Sequence, residues 1–262
     1  MQINTVKKAL KEGRLQVGCS FAQLRSPEVA TILGKAGFDW CFLDSEHGGF
    51  DLETLQDLCR AAVAAGMMPI VRVADIQYSL IARALDCGAM GVLLPRVESP
   101  EALARAVSWA FFPPQGTRGY GLAAPNVGYE PASIPQVIEH RNANTMVVLQ
   151  IETKLALERR EELLAVPGID AVMVGPADLS ISLGVPGEFE HPTLVAAVEA
   201  IRDSCLKHGV APGIHLRTLA LAKFWKERGM KFLSAGSETG FLFEKAAETA
   251  KSLRAEFQSR AT

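Results

Sequence analysis

The sequence lacks most of the features by which protein classes are usually told apart. Its five cysteines are odd in number and scattered, and none stands as C-x-x-C. A disulfide framework and a structural zinc site are therefore excluded, and a reducing compartment is expected. No apolar run approaches membrane-spanning length, and Met1 to Leu10 carries Lys7 and Lys8 where a signal peptide needs an apolar core. The expected location is the cytoplasm, with no membrane partner. A formal charge of −2, with no long Lys/Arg run, gives no broad basic field, so nucleic acid is not an expected partner either. There is no P-loop, no H-E-x-x-H and no G-x-S-x-G. Gly119-Tyr120-Gly121-Leu122-Ala123-Ala124 has the G-x-G-x-x-A spacing of a dinucleotide site. It follows Pro113-Pro114-Gln115-Gly116 rather than a strand, which makes the match accidental.

What the chain does have is a regular alternation of strands and helices. Over 262 residues, 48% hydrophobic and 21% charged, it has the composition of one globular domain spanning 1–262. An amphipathic N-terminal helix leads to a strand at Leu15–Cys19. Ser26-Pro27-Glu28 then starts a helix in the order cap, proline, acid. Phe38–Leu43 is a second strand, followed by a helix capped by Asp51 whose apolar residues recur at three and four. Met68–Val73 and Gly91–Pro95 are the third and fourth strands, and Ser99-Pro100-Glu101 caps another helix. From Phe112 to Asn144 the pattern becomes a long loop with one short helix, placed by its length over the functional site. Met146–Glu152 and the run from Ala171 flank a helix at Leu155–Leu164. Val210–Ile214 and Lys231–Ala235 complete eight units. That count, without a break in composition, predicts a (β/α)8 TIM barrel.

Active sites of such barrels gather at the carboxyl ends of the strands. There the sequence places Asp44-Ser45-Glu46-His47, Arg72, Arg96, Gln150 with Glu152, Gly175-Pro176-Ala177-Asp178, His215 and Gly236-Ser237. Glu152 and Asp178 close two neighbouring parallel strands, which lie about 5 Å apart. Two carboxylates converging on one point call for a proton or a cation between them. An oxygen-only donor set leaving much of an octahedral shell open suits Mg2+, Mn2+ or Co2+. The plainer reading is that these acids cap helices or pair with Lys154 and Arg159. His47 beside such a site is a candidate general base, and Asp86 a candidate to fix its tautomer; the plain alternative is a loop histidine bonded to backbone. Arg72, among apolar neighbours, needs an anionic partner, either a substrate or simply Asp44 or Glu46. His140, His191 and His208 read as surface or capping residues.

Four ordered strings carry a resemblance. Leu43-Asp44-Ser45-Glu46-His47-Gly48, Pro69-Ile70-Val71-Arg72-Val73, Gln150-Ile151-Glu152-Thr153 and Val174-Gly175-Pro176-Ala177-Asp178-Leu179-Ser180 resemble the metal-dependent pyruvate aldolases of the 4-hydroxy-2-oxoheptanedioate and 2-dehydro-3-deoxyglucarate aldolase family. The resemblance implies a barrel of the phosphoenolpyruvate/pyruvate-binding type. It also implies a homohexamer whose C-terminal helix is exchanged with a neighbour, and reversible cleavage of a 4-hydroxy-2-oxo acid to pyruvate, or a related 2-oxo acid, and an aldehyde. Glu152 and Asp178 then look like metal ligands, with Gln150 a polar contact beside them. Arg72 resembles the group that holds the pyruvate carbonyl oxygen, and His47 with Asp86 the acid/base element. The amides of Ala177 and Asp178 fall where the family binds the pyruvate carboxylate. The likeness departs at Gly49-Phe50, Tyr120 to Pro125 and Leu216-Arg217, where the aldehyde end would be read. Competing readings are an acyl-CoA lyase of the citrate lyase β or malyl-CoA lyase type, a Schiff-base aldolase using Lys154, and a non-catalytic metal- or ligand-binding barrel.

Overall fold

A computed structural model describes residues 1–121 and 124–259. The elements run α1 Thr5–Lys11, β1 Gln16–Phe21, α2 Pro27–Lys35, β2 Trp40–Asp44, α3 Leu52–Ala64, β3 Met68–Arg72, α4 Tyr78–Asp86, β4 Gly91–Leu94, α5 Pro100–Ala110 and α6 Ile134–Asn144. They continue with β5 Met146–Ile151, α7 Lys154–Glu158, α8 Arg160–Leu164, β6 Ala171–Val174, α9 Pro176–Ser182, α10 Pro192–Lys207, β7 Gly213–Leu216, α11 Leu219–Glu227, β8 Phe232–Ser237 and α12 Glu238–Ser259. The eight strands pair in chain order into a closed parallel barrel. The expected (β/α)8 architecture is what forms.

The strands are buried on both faces, so alternation sorts their side chains into two cores. Cys41, Leu43, Val71, Val92, Val147, Leu149 and Val172 point outward and pack under the helices. Trp40, Phe42, Met68, Ile70, Leu93, Met146, Val148, Met173 and Phe232 fill the barrel. Trp40 stacks on Phe232 with ring centroids 3.9 Å apart. Gly18 is required beside them, because a Cβ there would lie 2.3 Å from the Trp40 ring. Continuing the inward positions by two residues along each strand reaches Asp44, Arg72, Gln150 and His215, so the apolar plug has a polar upper layer. The barrel thereby supplies a dry floor and a rim of hydrogen-bonding groups.

The three caps read from sequence form as expected. Ser26, Asp51 and Ser99 accept amide hydrogen bonds at the starts of α2, α3 and α5. All five cysteines are free thiols. His191 caps α10 through Nδ1, and His140 and His208 bond at the surface to Gln2 and Glu161.

Three expectations need correction. The helix expected at Leu155–Leu164 is two short helices, α7 and α8, broken where Arg159 leaves helical ψ and donates to the Glu98 carbonyl. The one short helix expected between Phe112 and Asn144 does form, as three turns of α6 begun by a capping box of Ser133 and Gln136. The described residues of that loop do not line the cavity at the carboxyl ends of the strands. Instead Arg118 pairs with Asp86 of α4 and the Gly119 amide donates to the Tyr78 hydroxyl at 2.9 Å, while Glu130 meets the N-terminal amino group. A buried guanidinium must find a carboxylate, and Asp86 is the one within reach. Leu122 and Ala123, part of the same stretch, lie outside the described residues. Finally, β6 stops at Val174, which puts Asp178 in the first turn of α9 rather than at a strand end.

Candidate active site

At the carboxyl ends of the strands lies a cavity of about 250 Å3 whose lining includes Asp44, His47, Arg72, Gln150, Ala177, Asp178 and His215. Arg72 ends β3 directly opposite Asp44 at the end of β2. Its Nε and Nη2 donate to the two oxygens of Asp44 at 2.9 and 2.5 Å, and its Nη1 lies 3.2 Å from Glu46 Oε2. The Phe42 ring supports the guanidinium from 5.6 Å. Burial pushes the Asp44 carboxyl up, but hydrogen bonds and charge from Arg72, with the amides of His47 and Glu46, bring it below the usual carboxylate range. Burial likewise opposes the charge on Arg72, and Asp44, Glu46 and Glu152 outweigh it, so the guanidinium is held more firmly protonated than usual. Pairing with both acids and lining the cavity are thus compatible for Arg72.

Asp44, named from sequence as a possible partner of Arg72, is a positioning residue with a wider part than that pairing. Besides orienting Arg72, its Oδ1 accepts from the amides of Glu46 and His47 at 3.0 and 3.2 Å. That folds the turn presenting His47, whose side chain is 65% exposed with Nε2 3.9 Å from Glu46 Oε2. The signal was available, because two inward positions in register on adjacent parallel strands hold opposite charges. Asp86, expected to orient His47, is an ion-pair partner of Arg118. It lies outside the residues that line the cavity. Arg118, with a fully buried side chain, was not singled out from sequence, where its loop looked like a surface feature.

Glu152 follows β5 and is buried. Its Oε1 accepts from the Arg96 amide at 2.9 Å, and its Oε2 from the Gln150 side-chain amide. Arg96 holds a left-handed φ of 55°. That conformation costs a non-glycine residue roughly 1 kcal/mol or more, and here it accompanies the amide contact to the carboxylate. Burial raises the Glu152 carboxyl above its usual range; Glu46 and Asp178 add to the rise, against the donors Arg96 and Gln150. Lys154 and Arg159 are engaged elsewhere, with Glu158 and Glu162. Salt bridges from these two residues therefore do not account for the acid pair. Among the described residues there is no group of three or more His, Cys, Asp or Glu side chains placed to hold a metal ion.

Two observations fit a cation beside Glu152. A Cβ on Gly175 would stand 2.9 Å from Glu152 Oε2 and 3.1 Å from Gln150 Nε2, so any larger residue would fill the space over the carboxylate. Gln150 Oε1 is buried with no hydrogen-bond partner, leaving a carbonyl-type oxygen near the acid. Two carboxylates and an amide oxygen are hard donors suited to Mg2+, Mn2+ or Co2+ with several positions left for substrate.

His215 had been noted only as a rim residue. It points inward from β7, with Nδ1 2.9 Å from the Ser234 hydroxyl and its ring edge-on to Phe42. Burial, then the charges of Arg72 and Arg217, lower its pKa to about 4. It is a neutral imidazole at ordinary pH.

Comparison with known proteins follows the same lines. The family described as HpcH/HpaI aldolase/citrate lyase matches residues 17–244. A 5-keto-4-deoxy-D-glucarate aldolase from Salmonella paratyphi C (strain RKS4594) is 34% identical over 237 residues, which are 90% of this chain and 91% of the relative. The crystal structure of an HpcH/HpaI aldolase from Desulfitobacterium hafniense DCB-2 superposes with a TM-score of 0.89 at 30% identity, covering 95% of this chain and 96% of that one. A family protein from Burkholderia cenocepacia J2315 gives 0.88 at 30% identity, covering 96% and 99%.

Proposed function

The chain belongs to the HpcH/HpaI aldolase/citrate lyase family, and from that membership and the geometry of the cavity we propose that it is a cytoplasmic, divalent-metal-dependent aldolase. It would reversibly cleave a 4-hydroxy-2-oxo acid to pyruvate, or a related 2-oxo acid, and an aldehyde. The observation that carries this reading is the Glu152 carboxylate. It is buried, served only by neutral donors and further destabilised by Glu46 and Asp178. A site that concentrates negative charge out of water is built for a cation. Among the described residues no helix is long and apolar enough to cross a membrane.

In this reading Glu152 and Asp178 hold the ion and the Gln150 side chain stands beside it. A bound divalent cation supplies Lewis-acid stabilisation of the charge that develops on the pyruvate carbonyl oxygen. Arg72, locked by Asp44, presents its guanidinium to that same oxygen, preorganised before substrate arrives. The amides of Ala177 and Asp178 at the start of α9 have no intrahelical acceptor and bind the 2-oxo acid's carboxylate. His47 exchanges the proton. In cleavage it takes the 4-hydroxyl proton, the C3–C4 bond breaks to release the aldehyde, and the resulting enolate is protonated at C3 to pyruvate. In addition it removes the methyl proton. Asp86 is assigned to the same acid/base element. An acyl-CoA lyase would need a phosphate-binding loop or basic cluster, and the sequence has neither.

The test is metal depletion. After exhaustive chelation, one Mn2+ per chain is expected to rebind, and exchange of pyruvate methyl protons with solvent, followed by NMR, is expected to stop without metal and return with it. Undiminished exchange in the metal-free protein would refute the reading.

The same proposal includes a homohexamer with exchanged C-terminal helices. The start of α12 is tied to its own barrel through Phe241 stacked on Phe38 and through Glu238, which accepts the amides of Ala22, Gln23 and Leu24. Beyond it Leu242, Leu253 and Phe257 are 61, 52 and 66% exposed, and with Ala246 and Thr249 they recur at helical spacing on one face. An apolar stripe of this length is a surface for another copy. Light scattering at micromolar concentration is expected to give a hexamer, and Leu253→Glu to shift it towards smaller species. A wild-type monomer would contradict this.

A further inference from the structure

Strands β6 and β7 do not end together. Val174 pairs with Ile214 and β6 stops there, whereas β7 runs on through His215 and Leu216, which pair with Ser234 and Ala235 of β8 on the other edge. Lower in the seam Pro212 has no amide hydrogen to contribute. The β6–β7 seam is thus paired only at Val174–Ile214 and at the bridge Ala171–Ala211, and at the level of Gly175 and His215 the cavity is lined by residues from both sides of it. The cavity extends at this seam from the rim into the helix layer. Beyond the wall its lining comprises Phe189, Leu194 and Val198, Leu216, and Leu221 and Trp225 of α11. All six are apolar. Leu194, Val198, Leu216 and Trp225 belong to the packed core outside the barrel, so this side chamber is a fixed recess with the polar rim at its mouth. His215 and Arg217 stand at that mouth.

The recess shares one cavity with Arg72, Gln150, Ala177 and Asp178, the residues assigned above to the ion and the 2-oxo acid. A polyhydroxylated or carboxylate-bearing tail placed there would lose its hydration with only the Trp225 indole N–H as a hydrogen-bonding group in return. A hydrocarbon tail would gain. Resting on the aldolase reading of the site, we propose that the side chamber receives the apolar tail of the acceptor, so that the favoured substrates are 4-hydroxy-2-oxo acids carrying an alkyl or benzyl-type substituent. A total volume of about 250 Å3 is below the roughly 300 Å3 at which pockets for drug-sized ligands begin, which limits the tail to medium length.

The experiment compares addition of pyruvate to acetaldehyde, butanal and hexanal. Each methylene buried is expected to raise kcat/KM by roughly fourfold. Leu221→Trp, which fills the recess, is expected to lower the value for hexanal by about tenfold or more while leaving acetaldehyde within about twofold. Pyruvate proton exchange at the wild-type rate reports that this variant is folded. Phe189→Ala, on a surface loop, serves as the second variant and is expected to extend acceptance to octanal. Binding is read separately from catalysis: hexan-1-ol is expected to change Trp225 fluorescence saturably, and Trp225→Phe to lose that change. Equal kcat/KM across the aldehydes, an equal loss for acetaldehyde and hexanal in Leu221→Trp, or no saturable fluorescence response overturns the chamber. Absent proton exchange in the metal-loaded wild type overturns the aldolase reading instead, and the fluorescence titration still decides whether the recess binds alkyl chains.

Discussion

Glu152→Ala is expected to abolish divalent-cation binding and pyruvate proton exchange together, and Asp178→Ala to do the same. The loss of exchange should be at least on the order of 10³-fold, because a cation's stabilisation of developing negative charge is worth several kcal/mol. Glu152→Gln separates charge from shape. It keeps the approximate volume beneath Gly175, but it removes a carboxylate that burial, Glu46 and Asp178 all disfavour. Since the folded-state carboxyl is raised, its ionised form costs stability at neutral pH, and that cost disappears on neutralisation. Glu152→Gln without metal is therefore expected to melt no lower than the wild type while binding Mn2+ far more weakly. Isothermal titration and calorimetry measure both. A Glu152→Ala protein that binds Mn2+ and exchanges pyruvate protons at the normal rate would mean that the buried acid is structural.

His47→Ala is expected to behave differently, keeping metal and pyruvate binding while slowing proton exchange by about 10²–10⁴-fold, the usual cost of a lost general base. The exposed imidazole carries little of the fold, so its removal should leave the thermal midpoint almost unchanged. The turn itself is held by Asp44 through backbone amides and does not depend on the ring. Exchange of pyruvate protons without any aldehyde isolates this one step. If His47→Ala exchanges at the wild-type rate, the base lies elsewhere, with Glu46 next in reach of Arg72. The Asp86 assignment is tested alongside. Asp86→Asn should slow exchange if Asp86 acts through His47. It should instead lower the melting temperature alone if its role is confined to the Arg118 ion pair.

Much of the architecture was legible because it rests on local rules. Ser26, Asp51 and Ser99 cap helices through their own side chains, and runs buried on both faces read as parallel strands whatever surrounds them. Boundaries were harder. Asp178 looked like the end of a strand because Val174-Gly175-Pro176 continues an apolar run, yet Pro176 has the fixed φ of a first helical residue and begins α9 instead. Helix α6 was expected only as one short helix somewhere in a polar stretch, and the Ser133–Gln136 capping box fixes where it starts. The break at Arg159 could not have been read locally, since it is accompanied by a hydrogen bond to Glu98, in another part of the chain.

By itself the sequence determined the alternation of strands and helices, the barrel that follows from it, and the list of polar groups at the strand ends, because periodicity and capping act over a few residues. Tertiary structure alone decided which of those groups meet. Asp44 grips Arg72 because β2 and β3 align in register. Asp86 is engaged by Arg118 because a distant loop docks on α4. Glu152 becomes an unfavourable charge because the closed barrel buries it and, to a lesser degree, brings Glu46 and Asp178 near it. The side chamber arises from β7 outrunning β6. Each of these depends on residues far apart in the chain, where register and loop docking set distances that composition and spacing do not encode.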